Sequence, residues 1–594
     1  MSDHPTVPGG IMQTQLLSQP CRNFQILGIG SFTDPRDHRE KVVLSNFAAG
    51  GTGNLVIVDP ATGEGEDISL PGDSGAWAVL NWQDEKLLIG TCGTYGYLHC
   101  LDLASREWAE PLRDEEETYI WNLCIGSDGL VYGGTYPGCV LLQYDPAAHR
   151  LENVGRMSQN SANLYSRMVY GGVPGHILVS CGTADPHLSL WNMESGKAHR
   201  FGKEGAAVRG VGEGFFCTQT GDEIDTYDST SFECLESDRE DQLIAEPSPP
   251  NRYGGMRMHK HLTDGRWLVN RGQEYYIDDG EEDAPILQPI PAERPATHIL
   301  TITADDAGNI WGAAGFGQTI FRYNPATDES WNSQVVTDNS GEVYGMAWTA
   351  ERLFLATYSG GDHVVYDPTV PWQQLDNSNP VTLESVSPGL IRPSGKSVVG
   401  PDGHVWTGWM AAYGIYGGGI SKIDVNTLAM TCWRDPVAQQ AVMGLTADTR
   451  CLYFITGGSA NGLASRNVTP HFVVWETDGT IRTTHVFEMG TQLTGLAVTA
   501  ERVVIIAEDQ VYVYDSQSDR LEAPITLPAP ASYAAGLPDG RVALFGEDQM
   551  WLLSPEAGDL GPGCDMPGRV GSLAVSPDGE VFVAIGAQLN RLTL

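Results

Sequence analysis

The sequence has few stretches in which apolar residues recur at the helical period, and no apolar run that reads as a membrane span. The first shortage excludes a helical bundle, and the second leaves no helical span to place in a bilayer. There is no cluster of Lys and Arg. The chain carries 35 basic residues against 75 acidic ones, a formal charge of -40. Such a surface repels phosphate backbones and anionic bilayers, so neither nucleic acid nor membrane is expected as a partner. The 11 cysteines form no C-x-x-C pair. Cys100, Cys124, Cys217 and Cys451 lie in or beside strand-like runs and read as buried thiols, and the odd count points to a reducing compartment. The opening Met1-Ser2-Asp3-His4 has no basic or apolar signal region. A cytoplasmic protein is therefore the expectation. A nucleophile elbow, a P-loop, a dinucleotide fingerprint and H-E-x-x-H are all missing, and no cofactor or metal is expected. The glycine-rich Gly414-Ile415-Tyr416-Gly417-Gly418-Gly419 falls between strands, where phosphate cradling is improbable.

What the chain does have is glycine, 70 residues of it, with short apolar runs punctuated by Gly, Asp, Asn and Pro. That is the composition of an all-β protein with many tight turns. One closing signature recurs: Val58-Asp59-Pro60, Leu101-Asp102, Tyr144-Asp145-Pro146, Trp191-Asn192, Tyr227-Asp228 and Ile277-Asp278. It continues at Tyr323-Asn324-Pro325, Tyr366-Asp367-Pro368, Ile423-Asp424, Trp475-Glu476, Tyr514-Asp515, Leu553-Ser554-Pro555 and Arg591-Leu592. The spacing is that of four-stranded propeller blades, which must stack because one blade cannot bury both faces. About thirteen units exceed one ring of the usual size, so tandem β-propellers are predicted, with two rings of about seven four-stranded blades, or seven plus six. The repeated format places the rings at 24–340 and 341–594, divided near Ser340. The last blade lacks a convincing fourth strand, which a strand from residues 1–30 is expected to supply. The polar, Pro-rich and acidic segment 236–251 reads as a long loop between blades.

Two stretches look like copies of one another. In the first, Gly133-Gly134-Thr135-Tyr136-Pro137-Gly138 precedes Tyr144-Asp145-Pro146, followed by Tyr165-Ser166-Arg167 and His187. In the second, Ala356-Thr357-Tyr358-Ser359-Gly360-Gly361 precedes Tyr366-Asp367-Pro368, with His363 between them and Ile391-Arg392-Pro393 following. Propeller chemistry collects at a channel mouth, and adjacent blades can bring the Tyr, Arg and His at these strand ends together there. Tyr136, Tyr165, Arg167 and His187 are the candidate catalytic set. Tyr358, His363, Arg392, Trp409 and Tyr413 are candidate substrate-binding residues. Trp121, Tyr136, Tyr165, Trp406, Trp409, Tyr413 and Tyr416 offer aromatic faces to a sugar ring, against the alternative that they pack between blades. His259-x-His261 and the pair Cys181 and His187 have generic ligand spacings, which leave ordinary partly exposed side chains as the stronger reading.

The residues Gly134 to Gly138, Tyr144 to Pro146, Tyr165 to Arg167 and His187-Leu188 resemble bacterial propeller proteins of the ulvan lyase and rhamnose-glucuronate lyase types. Pro401-Asp402-Gly403-His404-Val405-Trp406-Thr407 is similar, over one turn, to the streptogramin lyase type of propeller. The first resemblance implies His and Tyr as acid and base, Arg to neutralise a uronate carboxylate, and an acidic oligosaccharide as substrate. β-Elimination by such a carbohydrate lyase is the leading expectation. The alternatives are a noncatalytic propeller presenting a rim to a protein partner, and a glycoside hydrolase, which needs two carboxylates about 5 to 9 Å apart.

Overall fold

A computed structural model of the chain describes residues 13–236, 239–243, 247–500 and 502–594. Among these residues there is no α-helix, only two short 3-10 turns, Glu240–Gln242 and Gln374–Asp376. The strands form thirteen antiparallel sheets, ten of four strands and three that carry a fifth short one. First strands of successive sheets abut along most of each ring, so each sheet is a radial blade with its first strand innermost. The thirteen closing signatures all end third strands. Ten of them carry an Asp or Asn, and there the chemistry repeats. The Asp or Asn side chain accepts from backbone N–H groups two and three residues on, as Asp102, Asp145, Asp228, Asn324 and Asp424 do, and so turns the chain into the outer strand.

The chain divides into two compact units, Phe24–Pro295 and a second made of Met1–Asn23 with Ala296–Leu594. The first holds six blades and the second seven. The division thus lies between Pro295 and Ala296, one blade before the expected Ser340. The blade opening at Ile299–Ala304 belongs to the second ring, because its first strand lies against both Glu342–Thr349 and Val570–Val575. Cys21, Ile299, Phe321, Phe582 and Leu589 share one core there. The copied Thr357-Tyr358 format marks the end of a second strand, a position found in every blade, and carries no information on where a ring starts.

Each ring has its own closure. In the six-bladed ring the backbone of Phe24 is clasped at both ends by Gln273, whose Oε1 accepts from its N–H at 2.7 Å and whose Nε2 donates to its carbonyl at 2.6 Å. Val42, Leu44, Leu268 and Tyr275 then pack the first blade on the sixth. In the seven-bladed ring Gln13–Ser18 forms the outermost strand of the last sheet, pairing antiparallel with Gln588–Thr593. Residues 1–12 of the expected N-terminal strand lie outside the described residues, as do 237–238 and 244–246 of the expected loop.

One irregularity recurs and positions the sites. Near its start the first strand of most blades carries a β-bulge. The residues skipped in the pairing include Trp77, Trp121 and Arg167 in the six-bladed ring and Tyr344 and Ile391 in the seven-bladed one. A bulge breaks the alternation of faces and re-aims one side chain. Here it brings side chains of successive blades together at one mouth of each ring.

Candidate functional site

At the mouth of the six-bladed ring the bulged residues of three consecutive blades meet. The rings of Trp77 and Trp121 lie 5.1 Å apart, and the Arg167 guanidinium lies 5.4 Å from the Trp121 ring. Tyr119 stacks on Trp121 at 5.0 Å, Tyr136 meets Tyr119 at 5.3 Å and Tyr165 at 4.8 Å, and Tyr165 meets Trp121 at 5.8 Å. The structure therefore brings Tyr136, Tyr165 and Arg167 together. It does not add His187. That histidine starts the third strand, two strand spacings or about 10 Å further out along the blade. It is 5 % exposed, and Nδ1 bonds the Asp185 carbonyl at 2.8 Å. It packs behind the blade edge, across from Cys181, and the expected four-residue catalytic set is not one site.

The mouth of the seven-bladed ring repeats this plan with stronger electrostatics. Tyr358 ends the second strand of its blade, Arg392 lies in the first strand of the next, and Tyr413 sits on that blade's 412–417 turn. The two tyrosine hydroxyls are hydrogen-bonded at 2.7 Å, and Arg392 Nη2 donates to the Tyr413 hydroxyl at 3.4 Å. The Arg392 guanidinium lies 4.2 Å from the Tyr358 ring centroid and 5.8 Å from that of Tyr344. Tyr358 and Tyr413 are both fixed from behind. Gln318 Nε2 donates to the Tyr358 carbonyl at 2.6 Å, and Asn461 ties the Tyr413 turn through the Ala411 carbonyl at 2.6 Å and the Gly414 N–H at 3.0 Å. Tyr413 remains 46 % exposed.

Arg392 makes no salt bridge among the described residues, and its buried Nε has no hydrogen-bond partner there. The Arg392 charge acts on Glu342, which is 4 % exposed and whose Oε2 is likewise without a partner among the described residues. Burial pushes the Glu342 carboxyl up to about 8 despite the pull of Arg392. At neutral pH it is therefore mostly an uncharged acid, and it leaves the Arg392 charge uncompensated. Burial and the neighbouring Tyr413 push the Tyr358 phenol well above its ordinary range, so it keeps its proton.

His363 and Trp409 do not reach this mouth. Trp409 is fully buried and His363 is 2 % exposed. Trp409 Nε1 donates to Ser421 Oγ at 2.7 Å, Ser421 Oγ bonds His363 Nε2 at 2.8 Å, and His363 Nδ1 bonds the Glu384 carbonyl at 3.2 Å. That chain is satisfied internally and touches no solute. Trp406 is also fully buried, against Trp433, and Tyr416 is covered by Arg466 at 4.0 Å. Of the expected substrate-binding set, Tyr358, Arg392 and Tyr413 converge. Burial holds His363 neutral down to about 4. The unfolded imidazole binds its proton from about pH 6.5 downward, so the ring's stability should fall by roughly 3 kcal/mol between pH 6.5 and 4. Urea unfolding across that range tests this, with His363→Gln as the variant in which that component of the slope disappears.

Trp77, Tyr119, Glu342 and Tyr344 were not legible as site residues. The one available signal was the recurrence of Trp77, Trp121 and Arg167 near the starts of successive first strands. Among the described residues no group of three His, Cys, Asp or Glu side chains is arranged to hold a metal ion, and His259 and His261 stand without a third ligand. None of the eleven cysteines forms a disulfide. No helix is long and apolar enough to cross a membrane.

The chain matches no protein-family profile and no curated protein sequence. Among solved structures it is similar to a catalytically inactive variant of virginiamycin B lyase from Staphylococcus aureus with quinupristin. That similarity has 12 % identity and a TM-score of 0.40, and covers 57 % of this chain and 98 % of the other. The WD40 β-propeller domain of Doa1 is similar at 15 % identity with a TM-score of 0.37, over 50 % of this chain and 92 % of that one.

Proposed function

We propose that the mouth of the seven-bladed ring is the site of a carbon–oxygen lyase acting on a uronate-containing oligosaccharide. The observation that carries this reading is Arg392. In a chain of charge -40 it forms no ion pair among the described residues, and it lies over Tyr358 beside a half-exposed tyrosine hydroxyl. A guanidinium so placed suits a carboxylate, which it can hold through two parallel N–H bonds. Neutralising the uronate carboxylate acidifies the C5 proton. Tyr413 oxygen takes that proton, the C5–H electrons form the C4=C5 double bond, and the C4–O bond breaks. Tyr413 then returns the proton to the leaving oxygen. The step requires Tyr413 as its phenolate, its own proton having passed to solvent beforehand, and in that state its oxygen keeps two donors, the Tyr358 hydroxyl and Arg392 Nη2.

The test is incubation with a panel of uronate oligosaccharides, read by the ultraviolet absorbance of the unsaturated product. On the substrate found, Arg392→Ala should lower kcat/KM by about a thousandfold, the size of a lost charge-stabilising donor. Tyr413→Phe should lower kcat far more than it raises KM. Full activity in Arg392→Ala, or cleavage without the absorbing product, overturns the assignment.

A second reading concerns the six-bladed mouth. Its five-ring aromatic cluster and Arg167, which forms no ion pair among the described residues, fit sugar binding without proton transfer, His187 being buried and bonded to the Asp185 carbonyl. On that reading Arg167→Ala weakens oligosaccharide binding and leaves kcat unchanged.

A further inference from the structure

The seven-bladed ring encloses a cavity of about 900 Å³ along its axis, bounded by first-strand residues of six of its seven blades. Six of the seven first strands are continuous. The third is broken into Leu390–Pro393 and Val398–Val399, with Ser394-Gly395-Lys396-Ser397 between the pieces. Gly395 has φ +120°, which a side chain would resist, and the break is pinned by the Ser397 and Thr407 hydroxyls at 2.7 Å. From this break Lys396 crosses the channel, and Nζ donates to the Leu573 carbonyl on the seventh blade, three blades away around the ring. Among the described residues lining the cavity, Lys396 is the one charged side chain. Among the described residues it forms no salt bridge. The rest of the wall is neutral and more apolar than polar: Val398, Met443, Leu445, Val498, Leu537 and Val575 line it together with Thr303, Thr446, Thr494 and Thr499.

A lone ammonium in a neutral, mostly apolar cavity is costly unless an anion pairs with it. The cavity's size is that of a small-molecule site, and its lining is that of an apolar ligand with one fixed polar end. We propose that this channel binds an apolar monocarboxylate, with the carboxylate on Lys396 Nζ and the hydrocarbon along the Val498 and Leu537 wall. It opens at the end of the first strands where Thr499, Pro538 and Gly540 lie, whereas Tyr358, Arg392 and Tyr413 gather at the other end. The site is therefore independent of the proposed lyase mouth.

Burial lowers the Lys396 ammonium to about 8. Tyr533 is the other titratable side chain on the cavity wall among the described residues. Burial pushes its phenol up to about 12, so it stays neutral as the lysine titrates. The probe is a series of straight-chain carboxylates from acetate to hexanoate at fixed ionic strength, with hexanamide as the uncharged control, followed by titration calorimetry. Affinity should rise with length, up to about fourfold per methylene. Hexanamide should bind at least about tenfold more weakly than hexanoate, and hexanoate binding should fade as pH rises through about 8. Lys396→Met should abolish the preference for hexanoate over hexanamide, and Lys396→Arg should keep it. No binding heat for hexanoate up to about 10 mM overturns the proposal. So does equal affinity for acid and amide in the wild-type protein, a measurement that needs no variant to fold.

Discussion

Glu342→Gln should stabilise the seven-bladed ring by about 4 kcal/mol at pH 8. The unfolded carboxyl ionises near its ordinary 4.5, whereas the folded one holds its proton to about 8. The folded state is therefore favoured fully below pH 4.5. It loses ground as pH rises from there to about 8, at 1.36 kcal/mol per unit. Glutamine cannot ionise, so the loss disappears. Denaturant unfolding at pH 5 and pH 8 reads the effect directly, and parallel stabilities of the two proteins at both values would sink it. The same ionisation reaches the proposed chemistry. Above about pH 8 the carboxylate pairs with Arg392 and competes with the uronate, so KM should climb in the wild type and stay level in Glu342→Gln. Because the proposed proton transfer rests on Tyr413 instead, a rise in KM alone separates this competition from a titrating catalytic group.

Deletion of residues 1–18 should cost the same ring about 5 kcal/mol, roughly 1 kcal/mol for each of five paired positions. It removes the outermost strand of the last blade and the packing of Leu17 on Cys21, Ile299 and Phe321. It also bares the Gln588–Thr593 edge, which then templates association between molecules. The check is the denaturation midpoint together with light scattering. The six-bladed ring, closed by Gln273 on Phe24, should keep its own transition. An unchanged midpoint for the seven-bladed ring refutes the closure.

The blades were legible because their information is local. An Asp such as Asp145 turns the chain by bonding N–H groups two and three residues away, so each third strand ends on a signature of two or three residues. Ring membership was not legible. Gln273 grips Phe24 from 249 positions away, and no neighbour of either residue announces it. The sites were half legible. Tyr136, Tyr165 and Arg167, and likewise Tyr358, Arg392 and Tyr413, converge because strand ends of adjacent blades share a mouth. His363 and Trp409 carry the residue types expected of a site, but their hydrogen bonds close among themselves through Ser421. Glu342 was invisible, since its chemistry comes from burial beside Arg392, which strand periodicity does not encode.

The pairing of Gln13–Ser18 with Gln588–Thr593 also sets an order in time. The whole six-bladed ring is threaded between the two parts of the seven-bladed one. As the chain leaves the ribosome, Phe24–Pro295 has every strand it needs as soon as its sixth blade emerges, and it can close while synthesis continues. Gln13–Ser18 must wait, unpaired, until Gln588–Thr593 is made. Its partner is nearly the full chain length away, the kind of contact that closes slowly. The ring that begins the chain is thus the second to be completed. A chain ended at residue 300 and released from the ribosome should already resist protease across its six-bladed part, while Gln13–Ser18 is still cut.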